Sequence, residues 1–238
     1  MKFLIFNVLC LFFTTFLNEV NGQINVPSTF PDRIVLNLTE QANSVAVTWR
    51  TDTSVSEGLC ELHPLTGGRI SPENVNSFKA KTTTVKYEYE DEPAIEANQH
   101  SVFLSGLIPG SKYLYRVGSN AVWSEWIEFK VPSNSNDSFS FVYFGDPQAD
   151  IKSQWSRVIR KAYNTVPDCA FMLYGGDIIN RAGRDLEWEE WFEAGSFIYG
   201  SVPQVLTPGN HDYNDLQLDP HWKHQFAQPL NGPKEVKG

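Results

Sequence analysis

The chain has 238 residues, 41% hydrophobic and 20% charged, which is enough to bury two modest cores and too apolar for a disordered tail. Acidic residues outnumber basic ones 28 to 19, for a formal net charge of −9. That balance argues against non-specific nucleic-acid binding, which needs Lys and Arg to displace counterions, but it leaves phosphate substrates open wherever a bound metal supplies positive charge.

Residues 1–22 read as a secretory signal peptide. Lys2 supplies the positive start, the run from Phe3 to Leu17 the apolar core, and Val20-Asn21-Gly22 a small-residue cleavage site. The apolar run is short and Asn7 interrupts it, which argues against a membrane anchor. The expected product is therefore secreted or lysosomal, with no membrane attachment after cleavage. The sequons Asn37-Leu38-Thr39 and Asn136-Asp137-Ser138 mark Asn37 and Asn136 as glycosylation candidates. Cys60 and Cys169 remain after cleavage and fall in different predicted domains, so two buried free thiols are expected rather than a disulfide.

Residues 27–131 alternate in short runs: RIVLNL, SVAVTWRT, TVKYEYE, HSVFLSGL, KYLYRVGS and EWIEFKV. Period-two patterning separated by turn residues predicts half-buried strands and a β-sandwich, with Trp49 plugging the space between sheets. A polar linker, VPSNSNDS, follows. From residue 138 to 238 the period changes. FSFVYF reads as a strand buried on both faces, residues 151–166 as a helix, CAFMLYGG as a strand, residues 186–199 as a helix and PQVLTPG as a strand. Strand and helix alternating in this way predict a parallel sheet with right-handed crossovers, whose ligands gather beyond the carboxyl ends of the strands.

Each of the three strands in this second segment ends in glycine followed by a candidate ligand. The first carries Gly145-Asp146, the second Gly176-Asp177, and the third Gly209-Asn210-His211-Asp212. Either aspartate alone is better explained as a cap or loop residue, and Gly-Asn-His alone is a plausible turn. All three in order, each at a predicted strand end, point to a metal site. Carboxylate and amide oxygens suit hard cations and are accepted by Zn and Fe. A carboxylate between two ligand-bearing strands can bridge two metals, and a histidine beside them can protonate a leaving alkoxide.

GDP…GGDIIN…GNHD resembles the first three motifs of the calcineurin-like metallophosphoesterases. LSGLIPGSKYLYRV resembles the tyrosine corner of fibronectin type III modules, with Tyr113 and Tyr115 as its tyrosines. A fibronectin-like module ahead of the motifs resembles the purple acid phosphatases, and residues 219–233 resemble a bacterial-type subgroup of them. The resemblance implies a fibronectin III-like all-β sandwich followed by an α/β metallophosphoesterase domain. It implies two metal ions drawn from Fe, Zn or Mn, with Asp146 on the first metal, Asp177 bridging and Asn210 on the second. His211 would be the catalytic proton donor or phosphate partner. The implied activity is hydrolysis of phosphate monoesters by a metal-bound hydroxide. Hydrolysis of diesters by the same fold is one alternative, and an inactive secreted binding module is another.

Two departures accompany the resemblance. Purple acid phosphatases carry a tyrosine three residues after the bridging aspartate, and here that position is Asn180, a possible ligand or outer partner of the metals. The family also draws histidines from two later motifs, and this sequence reaches Gly238 before either, as a fragment would. His63 and His100 fall in the sandwich. His221 and His224 of HWKH are expected as packing or surface residues, and the acids of RDLEWEEWF as a solvated face beside buried Trp188 and Trp191.

Overall fold

The computed structural model describes residues 26–67, 69–88, 93–133, 138–229 and 231–232, so the leader and Asn136 lie outside the described residues. Among the described residues the first half contains eight strands: β1 (Asp32–Leu38), β2 (Val45–Thr51), β3 (Leu59–Pro64), β4 (Asn76–Lys79), β5 (Lys81–Tyr87), β6 (Ile95–Leu104), β7 (Lys112–Gly118) and β8 (Ile127–Lys130). Neither β3 nor β4 is expected from the sequence. LCELHP ends in proline and NSFK is almost wholly polar, because β4 is an edge strand with little to bury.

The strands form two sheets, ordered β5-β6-β2-β1 and β4-β3-β7-β8. Between them lie Leu36, Val47, Trp49, Leu62, Tyr115 and Phe129, the alternating inward residues of both sheets. Trp49 is buried as expected and stacks on His100 across β2 and β6, with ring centroids 5.2 Å apart. Tyr113 is the corner tyrosine, its hydroxyl accepting the Ile108 N–H at 3.1 Å. Tyr115 instead donates out of the sandwich to the Gly200 carbonyl, 2.8 Å away. Cys60 and Cys169 are both free and buried.

The second half runs β9 (Val142–Phe144), a π-helical turn (Ile151–Trp155), α1 (Ser156–Thr165), β10 (Met172–Tyr174), α2 (Asp185–Gly195), α3 (Phe197–Ser201) and β11 (Gln204–Leu206). A small hairpin of β12 (Tyr213–Asn214) and β13 (Gln217–Leu218) and the single turn α4 (Trp222–Gln225) follow. Strands β9, β10 and β11 are parallel and in register, so Phe144, Tyr174 and Leu206 end level with one another. Their core contains Trp155, Ile159, Trp188, Trp191 and Tyr199, with Tyr199 stacked on Trp191 at 3.8 Å.

Four details differ from the sequence expectation. Among the described residues β9 is the edge of its sheet, not a strand buried on both faces: Tyr143 is exposed, as are Phe139 and Phe141 just ahead of the strand, and Phe141 stacks on Phe171 at 5.1 Å. The helix expected over residues 186–199 breaks at Ser196, whose φ is 47°, so that Tyr199 can lie flat on Trp191. A side chain at Gly195 would collide with the Tyr199 ring. Within RDLEWEEWF, Asp185 and Glu189 are buried, not solvated.

The fourth difference is Asn37. β1 pairs in parallel with β11 through Asn37 and Gln204, so the sandwich sheet and the parallel sheet form one seven-stranded sheet, β5-β6-β2-β1-β11-β10-β9. Asn37 is completely buried at this joint, with Nδ2 donating to Gln204 O (2.9 Å) and Oδ1 accepting from Ala227 N (3.1 Å). A side-chain amide buried and hydrogen-bonded on both sides leaves no room for a glycan in this arrangement, unlike the exposed position a sequon usually marks.

Candidate metal centre

The strand ends of β9, β10 and β11 project three loops over the same edge of the sheet. Asp146 lies in the loop after β9, Asp177 in the loop after β10, and Asn210 and His211 in the 3₁₀ turn after β11. Asp146 and Asp177 both have left-handed backbones, φ 47° and 52°, a conformation rare outside glycine and found where a turn must re-aim a side chain. The loops are packed closely. A Cβ at Gly176 would come within 2.7 Å of the Gly209 Cα, and one at Gly209 would collide with Asp177. These two glycines are needed because the loops after β10 and β11 touch through their backbones.

Asp177 sits between its neighbours. Its Oδ1 accepts the His211 N–H at 2.9 Å, and its Oδ2 lies 3.3 Å from Gln148 Nε2 in the loop of Asp146. Gln148 Oε1 is buried with no hydrogen-bond partner among the described residues, one more oxygen beside the same carboxylate. Asp177 is nearly buried, while Asp146, Asn180 and Asn210 are exposed. His211 Nδ1 lies 2.7 Å from the Asn180 carbonyl, which can only accept, so Nδ1 carries the proton and Nε2 is the ring atom left for other chemistry. Asn180 thus reaches the site through its main chain. Among the described residues no group of three or more His, Cys, Asp or Glu side chains is placed to hold a metal ion. The candidate donors are two carboxylates and an amide, an oxygen set that fits hard cations.

Tyr174, at the end of β10, does not replace the tyrosine absent at Asn180. Tyr174 is fully buried and donates to Gln204 Oε1 at 2.8 Å, and burial holds its phenol well above the usual range.

Several residues at the site carried no expected role. Asp212, the last residue of GNHD, is completely buried and joins two ligand loops: Oδ2 accepts from Gly209 N at 2.8 Å, and the carboxylate accepts from Ile178 N at 3.2 Å and Ile179 N at 3.4 Å. Burial pushes its carboxyl up to about 6, against backbone N–H groups that favour the ionised form. Arg181 and Arg184 line a cleft of about 420 Å³ together with Asn180, Asn210 and His211. His221, expected as packing or surface, is buried between Asp185 and Asp219. A lone acid or histidine in sequence does not reveal a partner that arrives from a distant strand.

Residues 31–131 match the family model of the purple acid phosphatase N-terminal domain, and residues 139–237 match that of the calcineurin-like phosphoesterases. Acid phosphatase type 7 of Homo sapiens is 26% identical over 219 residues, covering 88% of this chain and 46% of the relative. The same enzyme of Danio rerio is 27% identical over 198 residues, 78% of this chain and 40% of the relative. An Arabidopsis thaliana protein named probable inactive purple acid phosphatase 1 is 31% identical over 132 residues, 48% of this chain and 21% of the relative. The chain thus spans less than half the length of these curated relatives. A purple acid phosphatase from yellow lupin superposes with a TM-score of 0.63 at 20% identity, covering 78% of this chain and 36% of that one. PhoD superposes at 0.51 with 13% identity, covering 78% and 39%. The sandwich and the parallel sheet with its strand-end loops together define a metallophosphoesterase-type fold. The chain belongs to the calcineurin-like metallophosphoesterase family, in its purple acid phosphatase branch.

Proposed function

We propose that this protein is a metal-dependent acid phosphatase acting on phosphate monoesters, entering the secretory pathway through residues 1–22. The observation that carries the reading is the position of Asp177, hydrogen-bonded to the Asn210-His211 turn on one side and next to Gln148 of the Asp146 loop on the other. Similarity to acid phosphatase type 7 supports the same chemistry.

In this reading Asp146, Asp177 and Asn210 would hold the cations. Cations of the Fe, Zn or Mn type would supply Lewis acidity and a water-derived nucleophile. The chain's own residues do the rest. Asp177 and Asp212 fix the loops, Arg184 and Arg181, the latter 3.7 Å from Glu187, line the cleft that would take an anionic ester, and His211 would serve the leaving oxygen through Nε2. His211 keeps its orientation because Nδ1–H is held by the Asn180 carbonyl. With Asn180 at the tyrosine position and Tyr174 buried as a neutral phenol, the protein should lack the colour that a tyrosinate gives ferric iron.

The test is turnover of p-nitrophenyl phosphate and bis-p-nitrophenyl phosphate by the purified secreted protein with added Mn²⁺, Zn²⁺ or Fe, beside Asp146→Asn. Metal-dependent monoester cleavage lost in the variant is the expected result. Preference for the diester would move the reading to a phosphodiesterase. A folded protein that neither binds metal nor turns over either ester would move it to a binding module.

A further inference from the structure

We infer that the sandwich is a working part of the candidate metal centre: the buried sequence of contacts Arg33–Asp185–His221–Asp219 holds the loop of residues 177–183, making Asp219 and His221 positioning residues for the ligand Asp177. This rests on the reading of Asp177 as a metal ligand.

The loop after β10 is held by its backbone N–H groups, almost all claimed from outside it. Ile178 and Ile179 donate to Asp212, Asn180 and Arg181 donate to Glu187 Oε2 at 2.6 and 2.9 Å, and Ala182 donates to the His211 carbonyl at 3.1 Å. Gly183, where the loop turns with φ 78°, donates to Asp219 Oδ2 at 2.6 Å. Three carboxylates therefore secure one seven-residue loop, and of the three Asp219 connects to the sandwich.

Asp219 accepts on its other oxygen from His221 N at 2.8 Å and lies 2.7 Å from His221 Nδ1. His221 Nε2 lies 3.1 Å from Asp185 Oδ1. Both ring nitrogens thus face carboxylate oxygens, and both contacts are made only when each nitrogen carries a proton. Asp185 in turn takes a two-point contact from Arg33 of β1, 2.8 Å for each N–O pair. Arg50 of β2 stands 3.8 Å from the same carboxylate and is itself bound to Asp32. From β5 the Tyr87 ring stacks on the imidazole, 3.9 Å between centroids and 10° from parallel. Asp185 and His221 are fully buried, and Asp219 is 2% exposed.

Charges this deep are stable only while every partner is present, because losing one leaves the next uncompensated in a poorly solvated interior. Such a network has few intermediate arrangements. It therefore sets the height of Gly183, and with it the far end of the loop that presents Asp177, from strands of the other domain.

The experiment uses His221→Gln, which is close in volume but carries both its N–H donors on one nitrogen and so cannot span Asp219 and Asp185 as the two ring nitrogens do, and Tyr87→Ala, which withdraws the sandwich's ring without deleting a charge. Amide hydrogen exchange of residues 178–183 and Mn²⁺ affinity are read on the whole chain. The expected result in His221→Gln is exchange at least about tenfold faster across residues 178–183 relative to β6, with Mn²⁺ binding several-fold weaker. Tyr87→Ala should move the same amides by less, and it keeps the test open if His221→Gln does not fold. Loop amides exchanging at the unmodified rate in a folded variant would overturn the inference. So would faster loop exchange with unchanged Mn²⁺ affinity, since the loop would then be held for packing alone. If the unmodified chain binds no Mn²⁺, the metal reading fails and the positioning role fails with it, while the exchange data still report separately whether the contacts hold the loop.

Discussion

Asn37 on β1 and Gln204 on β11 are register partners across the one parallel pairing that joins the two sheets, and Asn37 Nδ2 donates to the Gln204 carbonyl at 2.9 Å. Replacing Asn37 with Ala leaves that carbonyl and the Ala227 N–H without their buried partners. A loss of about 2–6 kcal/mol in urea unfolding is expected, from about one to three for each orphaned group. Peptide mapping of the secreted protein should find Asn37 unmodified.

Gly209→Ala tests the close approach of the ligand loops. Its Cβ would collide with Asp177 Oδ1 and N, both parts of a packed loop with no flexible end to swing away. A loss of about 1–3 kcal/mol by thermal or denaturant unfolding is expected. Gly67→Ala is the control: nothing lies within 4 Å of its Cβ, so only the strain of its φ of 86° is added.

Asp177→Asn keeps the shape of the side chain and its acceptor oxygen toward His211 N, but it removes the charge that would lie between two cations. Mn²⁺ affinity measured by calorimetry should fall at least about tenfold, since loss of even an outer partner commonly does that much. Unfolding free energy in chelator should change far less, which separates metal affinity from folding.

Two pH windows should separate in an unfolding titration. His100 lies between Thr51 and Thr82 hydroxyls at 2.8 and 2.9 Å, and burial pushes its pKa down to about 4. The unfolded ring protonates near about 6.5, so the unfolded state binds the extra proton first as pH falls. Stability from this group is full above about 6.5, is lost as pH falls from there to 4, and changes no further below. The total is up to about 3 kcal/mol, and His100→Gln should flatten that interval. Asp185 acts lower. Burial alone would raise its carboxyl, but Arg33 and His221 hold it well below the usual range. Its contribution is present above the unfolded carboxylate value near about 4 and is lost as pH falls below that.

Features that depend on local pattern were legible in the order of the residues alone. Alternation at period two was enough for β1, β2, β6 and β7, and Trp49 and the corner Tyr113 stood out because a sandwich needs large residues at those positions. The three Gly-ligand strand ends were legible because each combines an apolar run, a glycine and a polar residue within a few positions. Features that depend on partners far apart in the chain were not. Burial of Asn37 at a sheet joint, exposure of Phe141 on an edge strand, and the placement of His221 between Asp185 and Asp219 all follow from which elements meet. A buried charge is tolerable only if its partner arrives from elsewhere in space, and Arg33 precedes Asp185 by 152 residues. No local window contains both, so a device that reaches from the sandwich to the ligand loop leaves no mark in the sequence until the fold brings its ends together.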